Sequence, residues 1–208
     1  MRYISCALVL LAGLTLSTPA ARAMPITFVA DLTQALEVPP TGSPGTGIAI
    51  VVLDTTANTM HVHVTFSGLT SGTTASHIHC CLASPFETGA NVMVATTTPT
   101  FPGFPSGVTS GTYDMSFNLL DAGTYNPLFV TSSFNPSGTI AGAEAALVAG
   151  IEDGETYLNI HTSGHLGGEI RGFLVAPEPA SLVLLSSAVV GFGLIRRRSF
   201  GFWAIRRV

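Results

Sequence analysis

From residue 26 to residue 175, apolar and polar side chains alternate in short runs that glycine, proline, serine and threonine interrupt. A period of two places alternate side chains on opposite faces of a β-strand. ITFVADLT (26–33) alternates loosely, whereas TGIAIVVLD (46–54) and TMHVHVTFSGL (59–69) alternate strongly. Residues 55–58 are short enough to join the last two as a hairpin. ASHIHCC (75–81), NVMVATT (91–97), GTYDMSFNL (111–119), TYLNIHT (156–162) and GEIRGFLV (168–175) continue the strand pattern. PPTGSPGTG (39–47) and PTFPGFPSGVTSG (99–111) are rich in turn residues and predict loops. One segment breaks the rule: IAGAEAALVAGIEDGE (140–155) is alanine-rich, and its spacing predicts a helix over 141–151 that ends near Gly154. Many short strands with one short α-helix predict a mainly β fold, an immunoglobulin-like or Greek-key β-sandwich or barrel.

The two ends follow different patterns. Residues 1–23 combine a basic start at Arg2, an apolar run over 4–16 and a small-residue site ending at Ala23. That order predicts a secretory signal peptide cut by signal peptidase after Ala23. At the other end, Pro177-Glu178-Pro179 precedes an apolar stretch over 180–195, and Arg196, Arg197 and Arg198 follow at once. The arginines predict a transmembrane helix with its basic end in the cytoplasm and the preceding domain outside. Pro-Glu-Pro, apolar helix and arginine cluster together resemble the PEP-CTERM sorting signal of Gram-negative bacteria. The resemblance implies processing by an exosortase-type enzyme at the inner membrane, followed by release or attachment at the cell surface. Residues 199–208 add a short cytoplasmic or interfacial tail, longer than such signals usually carry. The expected organisation is therefore a leader (1–23), a β domain (24–176), a sorting signal (177–198) and a tail (199–208).

Charge is segregated in the same way. Between residues 24 and 176 eleven acids stand against one base, Arg171, and the whole chain has no lysine. A domain so acidic repels nucleic acid and anionic lipid. Only Cys80 and Cys81 remain once the leader with Cys6 is removed.

LTQALEVPP (32–40), FSGLTSGTTASHIHCC (66–81) and YLNIHTSGHLGGEIRGFL (157–174) occur in succession. This series resembles the CHRD domain, a module first noticed in chordin and common in secreted bacterial proteins. The resemblance implies an immunoglobulin-like β-barrel distantly similar to copper–zinc superoxide dismutases, with no assigned biochemical function. This chain departs from the usual family form after HIH, where Cys80-Cys81 replace a glycine-proline pair. The bridging histidine and zinc ligands of a dismutase cannot be placed, which argues against dismutase activity.

His77 and His79, two apart on a strand, share one face with Cα atoms ~6–7 Å apart. Two imidazoles so placed can meet one metal ion. His161 is the first candidate for a third ligand, and His165, Glu169 and Cys81 are others. Copper or zinc suits imidazole ligands. The competing reading is that His77, His79, His161 and Asn159 are buried polar anchors that pin loops to the sheet. His61 and His63 form a second pair, whose simplest reading is a solvated face opposite Val62, Val64 and Phe66. Cys80-Cys81 can form a vicinal disulfide, ligate a soft metal, or pair with another chain. Arg171 predicts a cross-strand ion pair with an acid. No phosphate loop, serine elbow, metalloprotease helix or assignable carboxylate pair is present. The expectation is an exported, non-enzymatic protein of the cell surface or extracellular matrix, associated with exopolysaccharide. The alternatives are a copper- or zinc-binding protein built on HIH, and a redox protein built on Cys80-Cys81.

Overall fold

The computed structural model describes residues 24–177. The leader expected at 1–23, the apolar helix and arginines expected within 180–198, and the tail at 199–208 lie outside them. Among the described residues, no helix is long and apolar enough to cross a membrane.

Seven strands form one antiparallel sheet: β1 (Ile26–Thr33), β2 (Thr46–Asp54), β3 (Thr59–Ser67), β4 (Thr73–His79), β5 (Gly111–Asn118), β6 (Tyr157–Thr162) and β7 (Ile170–Phe173). Their order is β4-β6-β7-β1-β2-β3-β5. The mainly β expectation holds in this coarser form, a single continuous sheet.

The connectivity makes that sheet curl. β3 and β4 are consecutive in the chain but five strand positions apart in the sheet. Flat, they would be ~24 Å apart at ~4.8 Å per strand. The link over 68–72 gives six Cα steps, at most ~22 Å even fully extended, and Gly68 turns it at φ 72°. The two ends of the sheet must therefore approach each other. They are stitched there by the segment before β5: Thr73 N–H donates to Val108 O and Gly107 N–H to Thr73 O.

The alternation sets what faces inward. Phe28, Ala30 and Leu32 of β1, Ala49, Val51 and Leu53 of β2, and Met60, Val62, Val64 and Phe66 of β3 are buried together. The register matches them across strands, with Phe28 opposite Val51 and Val51 opposite Val62. Ile78, Leu158, Ile160 and Ile170 extend the same core across β4, β6 and β7.

The long helix runs over Ile140–Glu152, after a one-turn helix at Pro127–Val130; these are α2 and α1. Thr139 caps α2, its side chain accepting from Gly142 N–H. Ala143, Leu147, Gly150 and Ile151 form its buried stripe at spacings of four, three and one. Gly154, at φ 73°, ends the turn that follows. The one-turn α1 was not legible in the sequence, because four residues are too few to carry a period. Segment 91–97 is not a strand: only Val94 and Thr96 make isolated bridges, to His79 and Tyr125. It instead runs irregularly along the edge of β4, where Cys80 N–H donates to Met93 O and Ala95 N–H to Ile78 O.

Candidate metal centre

β4 and β6 pair so that His77 lies opposite Asn159, Ala75 opposite His161, and His79 opposite Tyr157. Since Ile78, Leu158 and Ile160 point into the core, His77, His79, Tyr157, Asn159 and His161 share the other face. That face is also buried. His77 is 6% exposed, His79 7% and Asn159 1%. Its cover is backbone: the loop over 90–99 and the turn near Leu166 supply carbonyl groups.

Each ring spends one nitrogen on that cover. His77 Nε2 lies 2.6 Å from Pro99 O, His79 Nδ1 2.7 Å from Val92 O, and His161 Nδ1 2.8 Å from Leu166 O. A carbonyl oxygen only accepts, so the proton of each neutral imidazole belongs on that nitrogen. The other nitrogen of each ring then carries a bare lone pair. These are His77 Nδ1, His79 Nε2 and His161 Nε2.

The rings bring their nitrogens together. One ring nitrogen from each of His77, His79 and His161 lies within 4.8 Å of the others. His77 Nδ1 and His161 Nε2 are 3.3 Å apart. With both protons committed elsewhere, this contact joins two acceptors. Protonating His77 would supply a donor, but burial pushes its pKa down to about 4, with the hydrogen bond to Pro99 opposing. Burial likewise holds His79 at about 4 and lowers His161. At neutral pH the rings are uncharged, and the lone pairs of His77 Nδ1 and His161 Nε2 face one another. This is the state in which imidazole binds metal, and a carbonyl on the second nitrogen is the usual way a ligand ring is oriented. The 3.3 Å separation also matches the ~3.3 Å edge between two ligands ~2.0 Å from a tetrahedral ion.

Further from the rings the face remains polar. Tyr157 stacks on His79 at 4.7 Å, and the Arg171 guanidinium sits 4.4 Å from the Tyr157 ring centre. Arg171, fully buried, donates to Leu36 O, Ala90 O and Asn91 Oδ1. Among the described residues it forms no ion pair, contrary to the sequence expectation. Loop carbonyls and a ring take the place of a carboxylate. Glu169, on the same strand edge, is bound instead by Ser43, Thr162 and Thr70. Burial alone would raise its pKa, but these donors bring it below the usual carboxylate value. Glu37 is buried beside Arg171 with Oε1 lacking a hydrogen-bond partner. Its burial raises its pKa to about 7 against the pull of Arg171.

The remaining candidates lie elsewhere. His165, Glu169 and Cys81 are not among the converging ligands. His165 lines a surface cavity with Glu37 and Gly168. His61 and His63 are half-exposed and bracket Asp114 at 3.0 and 2.8 Å. Hydrogen bonds from His63 and His61 lower the Asp114 pKa. Cys80 and Cys81 are joined by a disulfide, with Cα atoms 3.0 Å apart, across a cis peptide. The disulfide packs under Gly150 of α2, on the core side of β4.

The sequence model of the CHRD domain matches residues 28–174, which spans every strand but the first two residues of β1. The chain belongs to the CHRD domain family. No curated protein and no solved structure matches it significantly. In this CHRD domain the HIH element and the histidine of YLNIHT occupy adjacent strands, in a register that sets them on one face. Tyr157 and Asn159 precede His161 by even numbers and were detectable by the same parity. Glu37, a lone acid in a loop, gave no such signal.

Proposed function

We propose that this CHRD domain is a metal-binding module that holds copper or zinc through His77, His79 and His161. One observation carries the reading: three rings, two buried and His161 half-buried, each donate to a backbone carbonyl, and one nitrogen of each lies within 4.8 Å of the others, His77 Nδ1 and His161 Nε2 meeting at 3.3 Å. If the rings were only polar anchors, their inner nitrogens would face donors. In that arrangement His77 Nδ1 and His161 Nε2 would not oppose each other at 3.3 Å without a proton between them.

The setting we propose is outside the cell. The leader pattern over 1–23 and the Pro-Glu-Pro, apolar and arginine series over 177–198 support export, exosortase-type sorting at the inner membrane, and a place on the surface or in the extracellular matrix with exopolysaccharide. The acidic, lysine-free exported part suits that setting. A redox role for Cys80-Cys81 finds less support, because both sulfurs are buried under α2.

The test is metal content by mass spectrometry on the full chain, expressed with its own leader and purified without chelator or histidine tag. Near-stoichiometric copper or zinc, absent from a folded His77→Ala/His79→Ala variant, is the expected result. No metal in the wild type after incubation with both ions would refute the proposal.

A further inference from the structure

Resting on the metal reading above, we infer that Asn159 supplies the fourth ligand through its side-chain oxygen, so that the site is a closed one for a divalent ion of the zinc class. The starting point is a second contact between acceptors. Asn159 Oδ1 lies 3.1 Å from His79 Nε2. The proton of His79 is committed to Val92 O, so Nε2 offers only a lone pair, and an amide oxygen offers another. Two such contacts therefore occur on one buried face, this one and His77 with His161 at 3.3 Å. Each would cost free energy if left empty. A single cation among the four atoms relieves both, because each contact becomes an edge of one coordination polyhedron.

The amide could be turned the other way, with Nδ2 donating to His79. Its surroundings oppose that. Asn159 Nδ2 and both Glu37 carboxyl oxygens lie within 2.8 Å of the point where a Cβ on Gly168 would sit. They crowd the same space, which glycine leaves open. Glu37 Oε1 there is buried and lacks a donor. The structure sets the N–H end on the side of Glu37 and the oxygen beside His79, and a carboxyl group accepts a hydrogen bond in either protonation state. Register adds to this, since Asn159 lies directly opposite His77 and on the same face as His79 and His161.

The ligand set has a chemical consequence. Three neutral imidazoles and an amide oxygen contain no thiolate or thioether, so they favour a divalent ion over copper(I). With four protein ligands, no position is left for water or substrate. Such a site holds two strands and their covering loops together; it does not activate water.

Cobalt(II) is the probe, added to the metal-free full chain and followed by its visible absorption. The wild type is expected to give the intense bands of a four-coordinate ion. Asn159→Leu keeps the volume and removes the oxygen. It is expected to weaken cobalt binding at least tenfold and to change the bands, as water enters the empty position. Asn159→Asp is expected to keep the bands and bind at least as tightly. A folded Asn159→Leu with unchanged affinity and spectrum would overturn the inference and leave the histidine site standing. Should Asn159→Leu fail to fold, Asn159→Asp decides: altered bands or weaker binding would count against the inference. Absence of cobalt binding by the wild type would instead sink the metal reading beneath it.

Discussion

Stripped of metal by a chelator, the domain should lose stability as the pH falls from 6.5 to about 4. The cause is the neutral state that burial imposes on His77 and His79, each held from 6.5 down to about 4. In that window the unfolded chain takes up protons that the folded chain refuses, so stability rises with pH. Each ring is worth about 3 kcal/mol across the window. Glu37 acts in the opposite direction. Its carboxyl is pushed from 4.5 up to about 7, so the folded chain keeps a proton that the unfolded chain releases. Stability therefore falls by about 3 kcal/mol as the pH rises from 4.5 to 7. Two rings outweigh Glu37; Glu144, raised by burial, adds to the carboxyl side, and His161, lowered by burial, to the side of the rings. The Tyr157 hydroxyl, raised by burial, stays neutral. The net expectation is a gain of about 3 kcal/mol from pH 4 to 6.5, a large part of the ~5–15 kcal/mol of a typical domain. Urea unfolding with chelator present would show it as a midpoint shift of at least ~1 M. Glu37→Gln removes the more deeply buried opposing group and should steepen the rise to about 6 kcal/mol. A flat or falling profile in Glu37→Gln between pH 4 and 6.5 would refute the argument.

Two further outcomes test the packing that positions the site. Gly150→Ala gains up to ~1 kcal/mol of helix propensity, yet its Cβ would sit 2.5 Å from Cys80 Sγ and 3.1 Å from Cys81 Sγ. Overpacking of about 1–3 kcal/mol should win; the thermal midpoint should drop, whereas in a Cys80→Ala/Cys81→Ala background the same change should be neutral or stabilising. Thr139→Ala removes the side-chain acceptor at the start of α2, and chemical denaturation should report a loss of about 1 kcal/mol.

Much of this architecture follows from local pattern. Alternation in TGIAIVVLD and TMHVHVTF decided which side chains of β2 and β3 face inward, because a strand's faces follow from its period alone. The same parity put His77 with His79, and Asn159 with His161. Alanine content and spacing marked α2 within a residue of its observed ends. Tertiary structure decided the rest. Whether two strands some eighty residues apart become neighbours depends on pairing across the curled sheet, and no local period records it. The protonation pattern of the three rings depends on carbonyls at Val92, Pro99 and Leu166, and every residue carries a carbonyl whatever its side chain. The same holds for Arg171, whose partners are mostly backbone oxygens, so the sequence suggested an acid where the fold supplies loop. A strand's pattern names the face on which a ligand stands. Only the packing of other segments against that face decides whether the ligand is buried, which nitrogen is protonated and what the other nitrogen meets.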